Sequence, residues 1–299
     1  MSTEPPNWSA LNERTAELVR LAKEEDLGPQ DATGELLTGE IIAQYQLVGR
    51  EHGVLCGCPL VPTVLAAYDD RLAVEWSEAV VDGYRIESRA KPLAVIRGPL
   101  RSVLAVERTL LNFLQHLSGV ASLTRRFVDA IAGTNARVYD TRKTIPGFRA
   151  LDKYAVRCGG ACNHRMGLFD AILIKENHLA GVEPGRLAGV VFEMLNRAPD
   201  LDPAPLFVEV EAHGYDQFEA LLTVVGIDVI MLDNFSLTDI ERAVRRRDDL
   251  GLRGKIALEA SGGVTLEQVR ALANTGVERI AVGALTHSAP ALDLALEPL

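Results

Sequence analysis

From Arg137 onward, six short apolar runs take turns with helical stretches, and each run carries a charged residue or a glycine at or just beyond its end. They are Arg137 to Asp140, Ala171 to Lys175, Leu206 to Glu211, Asp228 to Asp233, Lys255 to Ala260 and Arg279 to Gly283. Alternation of strand and helix with continuously apolar strands predicts a parallel sheet buried on both faces. The carboxyl ends of such strands meet at one face, and that face holds ligands. A charge after one strand is ordinarily a solvated loop residue; six in succession point to a shared site. Six strands where a closed barrel has eight predict an incomplete, six- to seven-stranded α/β barrel. A doubly wound sheet is the alternative, although no G-x-G-x-x-G follows the first strand.

Ahead of Arg137 the period changes. Leu11, Leu18, Val19, Leu21 and Ala22 recur at helical spacing and predict a helix from about Ser9 to Leu27. Ile41 to Val48, Leu72 to Trp76, Tyr84 to Arg89 and Leu93 to Arg97 are short, partly alternating runs. They predict a mainly antiparallel sheet with a helix near Pro59 to Tyr68, an α+β domain. From Ser102 a helical pattern runs through Val106, Leu110 and Leu114; Ser118-Gly119 is expected to break it before it resumes to Gly133. Residues 1–115 are expected to form the first domain and 116–284 the α/β barrel, with 285–299 returning to the first.

The chain has 299 residues, 47% of them hydrophobic and 24% charged, enough to bury full cores. It shows neither a signal peptide pattern nor a long apolar span, so a cytoplasmic protein without a membrane partner is expected. A net charge of -10 and a pI near 5.2 disfavour nucleic acid. Cys56, Cys58, Cys158 and Cys162 match no zinc spacing and are too sparse for a disulfide framework, so buried or half-buried reduced thiols are expected.

Within this acidic chain, residues Arg137 to His178 carry eight Lys/Arg against four acids. A basic island of this kind fits a focused pocket for small, highly charged anions. Arg142, Lys143, Arg165 and Lys175 are strong donors to carboxylate and phosphate. Glu211 and Asp233, at the ends of adjacent strands, suit Mg2+, leaving its other positions to water and phosphate oxygens. The late turns Ser261-Gly262-Gly263 and Val282-Gly283-Ala284 suit a phosphate, because glycine lets backbone N–H groups approach an anion closely. A phosphorylated sugar with a carboxylated partner is the substrate class these groups suggest. Bland readings stand beside these: His164 as a core histidine, Arg157 and Lys153 as helix-face charges. Of Glu209 and Glu211 on one strand, only one is expected to face the pocket. Lys175 at a strand end also admits a Schiff-base aldolase, and the whole pocket a non-catalytic binder.

Longer stretches carry a family resemblance. Glu107 to Gln115, Thr141-Arg142-Lys143-Thr144-Ile145-Pro146-Gly147-Phe148-Arg149, Lys153-Tyr154-Ala155-Val156, Asn163-His164-Arg165, Leu173 to His178, Glu209-Val210-Glu211, Leu232-Asp233-Asn234, Glu259 to Gly263 and Val282 to His287 resemble the quinolinate phosphoribosyltransferases over nearly the whole chain. Ile145 and Glu176 are mild departures. The resemblance implies phosphoribosyl transfer from phosphoribosyl pyrophosphate to quinolinate with Mg2+ and loss of carbon dioxide. It implies an N-terminal open sandwich before the barrel, and a homodimer with shared active sites into which Arg108 reaches. Arg108, Arg142, His164 and Arg165 would clamp the quinolinate carboxylates, with Lys143 and Lys175 between quinolinate and the sugar phosphates. Glu211 and Asp233 would hold Mg2+ and the ribose hydroxyls; Ser261, Gly262, Gly283 and His287 would hold the 5'-phosphate or its surroundings. By family position Glu211, rather than Glu209, is the site carboxylate. Nicotinate phosphoribosyltransferase shares the donor but takes a monocarboxylate, which needs fewer arginines.

Overall fold

The structure, a computed structural model, describes residues 12–87 and 90–299. Two compact units make up the chain. One runs to Arg125 and includes Ile145–Gly160 and Ser288–Leu299; the other comprises Arg126–Thr144 and Ala161–His287. Among the described residues no helix is long and apolar enough to cross a membrane.

The first unit is built on an antiparallel sheet in the order Leu294–Pro298, Ile42–Gly49, Pro92–Pro99, Ala73–Trp76. The expected run Tyr84 to Arg89 shrinks to Arg85–Ile86, which pairs with Gly53–Val54; Ser88 and Arg89 lie outside the described residues. The first helix is described over Asn12–Leu27, its expected start at Ser9 also lying outside them. A helix over Val61–Tyr68 stands where one was expected.

The expected helix break at Ser118-Gly119 is absent: one helix spans Leu100–Ala130. These two residues are small for packing reasons. Ser118 Oγ accepts the Cys56 N–H at 3.0 Å and donates to the Cys56 carbonyl at 3.3 Å. A Cβ on Gly119 would stand 2.1 Å from the Pro290 carbonyl oxygen, an impossible approach. Glycine costs about 1 kcal/mol in a helix interior, and here it is the residue that lets another backbone come close. All four cysteines are free thiols, three buried and Cys158 half-buried.

The second unit carries the parallel sheet. Its strands are β1 (Arg137–Tyr139), β2 (Ile172–Ile174), β3 (Val208–Ala212), β4 (Val229–Asp233), β5 (Ala257–Ser261) and β6 (Arg279–Ala281). They pair in the order β1-β6-β5-β4-β3-β2, all parallel. The two edge strands, β1 and β2, follow one another in sequence, so the chain from Asp140 to Ala171 leaves one edge and returns at the other. This is a six-stranded sheet of the incomplete-barrel kind.

Side chains two residues apart on a strand share a face. Glu209 and Glu211, Met231 and Asp233, Glu259 and Ser261, and Arg279 and Ala281 form such sets, and Val210, Ile230, Leu258 and Ile280, all 0% exposed, form the opposite apolar face. Local sequence starts the helices behind that face. Ser236 Oγ accepts the Asp239 N–H ahead of Leu237–Asp249, and Thr265 with Gln268 makes a capping box ahead of Leu266–Asn274.

Candidate active site

The carboxyl ends of the six strands and the turns after them enclose a cavity of about 500 Å³ within the second unit. Arg142, Lys143, His164, Arg165, Lys175, Glu211, Asp233, Ser261 and Gly262 line it. Gly283 and His287 flank this group: a Cβ on Gly283 would lie 3.1 Å from His287 Nε2 and 3.2 Å from Lys143 Cδ. Arg108 belongs to the first unit, on the helix Leu100–Ala130, and is exposed.

Each basic loop is pinned by the backbone. Thr286 Oγ1 donates to the Lys143 carbonyl at 2.7 Å, holding the turn after β1. Asp140, the charge that ends the first apolar run, is fully buried and does not face the cavity. Its carboxylate accepts the His164 N–H at 2.7 Å and the Asn163 side chain at 2.6 Å, which fixes the Asn163-His164-Arg165 loop. Asp170 accepts the N–H groups of Met166 and Gly167 in the same way. On the late side, Asn234 takes a left-handed φ of 57° and Gly262 a φ of 106°. A Cβ on Gly262 would meet Asn234 Oδ1 at 2.1 Å, so only glycine lets these two turns close on one another.

Charge is distributed unevenly around the cavity. Burial, and next the Arg142 charge beside it, push the Arg165 pKa below its ordinary value. Two guanidinium groups held together at low exposure repel each other, and an anion between them would relieve that repulsion. Across the cavity Lys175 Nζ is paired with one oxygen of Glu211, while His213 Nε2 lies 2.8 Å from the other.

Below the cavity lies a layer of buried charge. Arg279 Nε donates to Glu259 at 2.6 Å, and its guanidinium lies 4.0 Å from the Tyr139 ring centre. Glu209 and Glu259 are 0% exposed, and both Glu209 oxygens and Oε1 of Glu259 make no aligned hydrogen bond among the described residues. Burial and the neighbouring Glu259 raise the Glu209 pKa. Burial acts on Glu259 too, but His164 and Arg279 outweigh it and draw Glu259 down. Of the two, Glu209 holds a proton the more readily.

His164 sits on this layer. Nδ1 accepts the Arg165 N–H at 2.8 Å, and Nε2 lies 2.8 Å from Glu209. Burial alone would lower the His164 pKa, whereas the two glutamates bring it up to about 9.

Several sequence readings change here. The reasoning that only one of Glu209 and Glu211 can face inward misplaces Glu209: the two share a face and differ in depth, Glu211 at the cavity and Glu209 beneath it. Lys153 is no surface lysine; it is 0% exposed, and Arg157 is buried as well. His213, Asn234 and Glu259 line the cavity and were not anticipated. His213 and Glu259 both follow from period-2 counting, His213 from Glu211 and Glu259 from Ser261, once strand ends are known.

The comparisons bear on the whole chain. Residues 31–118 match the family model of the quinolinate phosphoribosyl transferase N-terminal domain and residues 120–297 that of the C-terminal domain. A nicotinate-nucleotide pyrophosphorylase [carboxylating] of Mycobacterium leprae is 40% identical over 285 residues, covering 93% of this chain and 95% of its own. A quinolinate phosphoribosyltransferase [decarboxylating] of Nicotiana tabacum is 36% identical, covering 94% and 81%. The solved nicotinate-nucleotide pyrophosphorylase of Francisella tularensis superposes with a TM-score of 0.86 at 38% identity, covering 96% of this chain and 97% of that one.

The buried pair makes a stability prediction. Glu259→Met strands the Arg279 guanidinium without its carboxylate, at an expected cost of about 3–5 kcal/mol in urea unfolding. Glu259→Met with Arg279→Met is expected to cost less than Glu259→Met alone. A double variant whose loss equals the sum of the singles would show that the two charges are not coupled.

Proposed function

The chain belongs to the quinolinate phosphoribosyltransferase family, and on that premise we propose that it joins phosphoribosyl pyrophosphate to quinolinate, releasing pyrophosphate and carbon dioxide and giving nicotinate mononucleotide for NAD synthesis. The observation that carries this reading is one cavity lined by Arg142, Lys143, Arg165 and Lys175 together with Glu211 and Asp233, the last two on adjacent strands. A dicarboxylate and a polyphosphate need that many cations, and a ribosyl cation needs the acids.

Arg142 and Arg165 grip the acceptor carboxylates. His164, which lines the cavity and accepts the Arg165 N–H, supports this by holding the backbone of Arg165. The Ser261-Gly262-Gly263 turn cradles the 5'-phosphate, with Gly283 and His287 beside Lys143. Fixed in this way, the acceptor nitrogen faces ribose C1 without the entropy loss of a free encounter. As the C1–O bond to pyrophosphate breaks, C1 gains positive character, which Glu211 and Asp233 favour; Lys143 and Lys175 meet the charge that departs. The new C–N bond leaves the ring nitrogen cationic. Electrons of the neighbouring C–CO2 bond then flow toward that nitrogen, carbon dioxide leaves, and the ring carbon takes a proton. No covalent protein nucleophile is needed, and Lys175, engaged with Glu211, does not present a free amine for a Schiff base.

The donor chemistry at the rim fits Mg2+: the Glu211 and Asp233 carboxylates open on the cavity and leave room for water and phosphate oxygens. Mg2+ held there would supply neutralisation of the leaving pyrophosphate. We further propose a homodimer in which Arg108 of one protomer enters the site of its partner. Mixing two inactive variants, Arg108→Ala and Lys175→Ala, is expected to restore part of the activity, and no recovery would count against that sharing.

The reaction is tested by supplying quinolinate, phosphoribosyl pyrophosphate and Mg2+ and measuring products: carbon dioxide and pyrophosphate are expected in equal amounts. Arg142→Ala is expected to weaken quinolinate binding by about 10- to 100-fold in calorimetry, the size of a lost charge-assisted contact. Phosphoribosyl pyrophosphate binding is expected to change far less; equal losses for both ligands would contradict the carboxylate assignment.

A further inference from the structure

Between the two rim carboxylates stands a third group that the proposed reaction leaves without a role. His213 follows β3 two residues beyond Glu211, and its N–H donates to Gln217 Oε1 at 2.8 Å, fixing the backbone there. Its Nε2 lies 2.8 Å from Glu211 Oε1 and its Nδ1 lies 3.6 Å from Asp233 Oδ2. Lys175 pairs with the other Glu211 oxygen. One donor atom each from Glu211, His213 and Asp233 fall within 4.8 Å of one another, the spacing of ligands around a single ion. All three residues line the cavity.

We infer that His213 is a third protein ligand of the divalent cation, and that it makes this site favour a nitrogen-accepting ion such as Mn2+ over Mg2+. The inference rests on the reading that Glu211 and Asp233 hold a cation. Two carboxylates alone make a hard oxygen site of the kind Mg2+ uses, with water filling the rest of an octahedron. An imidazole alters that balance. Mg2+ binds nitrogen poorly, whereas first-row transition ions accept carboxylate and imidazole together. His213 Nε2 already stands 2.8 Å from Glu211 Oε1, so no rearrangement of the sheet is needed for both to bind one ion. The rival role for the same geometry is a spacer: His213 lying between the two carboxylates would occupy the ion's place and exclude it.

The two roles predict opposite effects on binding. The full chain without substrates is titrated with Mn2+, following the loss of the free-ion signal by electron paramagnetic resonance, and Mg2+ is then added as competitor. The unaltered chain is expected to hold Mn2+ about tenfold or more tightly than Mg2+, and His213→Asn to lose about that advantage. Unchanged or increased Mn2+ affinity in His213→Asn overturns the inference. Pulsed measurements on the unaltered chain make the test independent of how the variant folds. Coupling of bound Mn2+ to an imidazole nitrogen is expected, and its absence also overturns the inference. Turnover of quinolinate by the unaltered chain with Mg2+ judges the reaction separately, so failure of one reading does not pass for failure of the other.

Discussion

The barrel of this chain is organised around charge in its interior. Arg279 and Glu259 face each other on neighbouring strands and close an ion pair at 2.6 Å, with Glu209 and His164 packed against it. Removing two ions from water costs several kcal/mol each unless geometry and partners restore most of that. Here Tyr139 and Phe207 cover the guanidinium, the carboxylate closes on it, and Glu209 holds a proton more readily than an isolated glutamate. That layer is the surface on which His164 rests, and His164 in turn holds the backbone of Arg165. A cation in the cavity is thus positioned by a charge arrangement one layer deeper.

The cavity above it is preorganised at an electrostatic cost. Arg165 is partly desolvated beside Arg142, a repulsion that a bound anion would relieve. The loops that hold these groups spend backbone hydrogen bonds on rigidity. Asp140 and Asp170 are tied to main-chain N–H groups and not to ligands. Such fixed donors do not need to reorganise as charge develops, which is the usual source of electrostatic catalysis.

Much of this was legible from residues alone, because strand ends in an alternating β and α pattern converge whatever the details of packing. Arg142, Lys175, Glu211 and Asp233 needed no more than that. Depth was not legible. Asp140 reads as another strand-end charge and proves to be a loop anchor; Lys153 reads as a helix-face lysine and is sealed from water. The pairing of Glu209 with His164 depends on which strands lie side by side, information that no local window contains. Ser118-Gly119 shows the reverse error. Two weak helix formers suggested a break, yet tertiary contacts with Cys56 and Pro290 select small residues inside a continuous helix.

The jump of the chain from β1 at one edge of the sheet to β2 at the other has a consequence for divergence. Arg142, Lys143 and Arg165 all sit on that single excursion, whereas Glu211, Asp233 and Ser261 belong to the paired strands. On the proposed reading, the two arginines that grip the acceptor therefore lie on a stretch apart from the strand-borne carboxylates and the glycine turn. A lineage adopting a different aromatic acid could then revise the turns on either side of the helix Arg149–Cys158 and leave the paired strands unchanged.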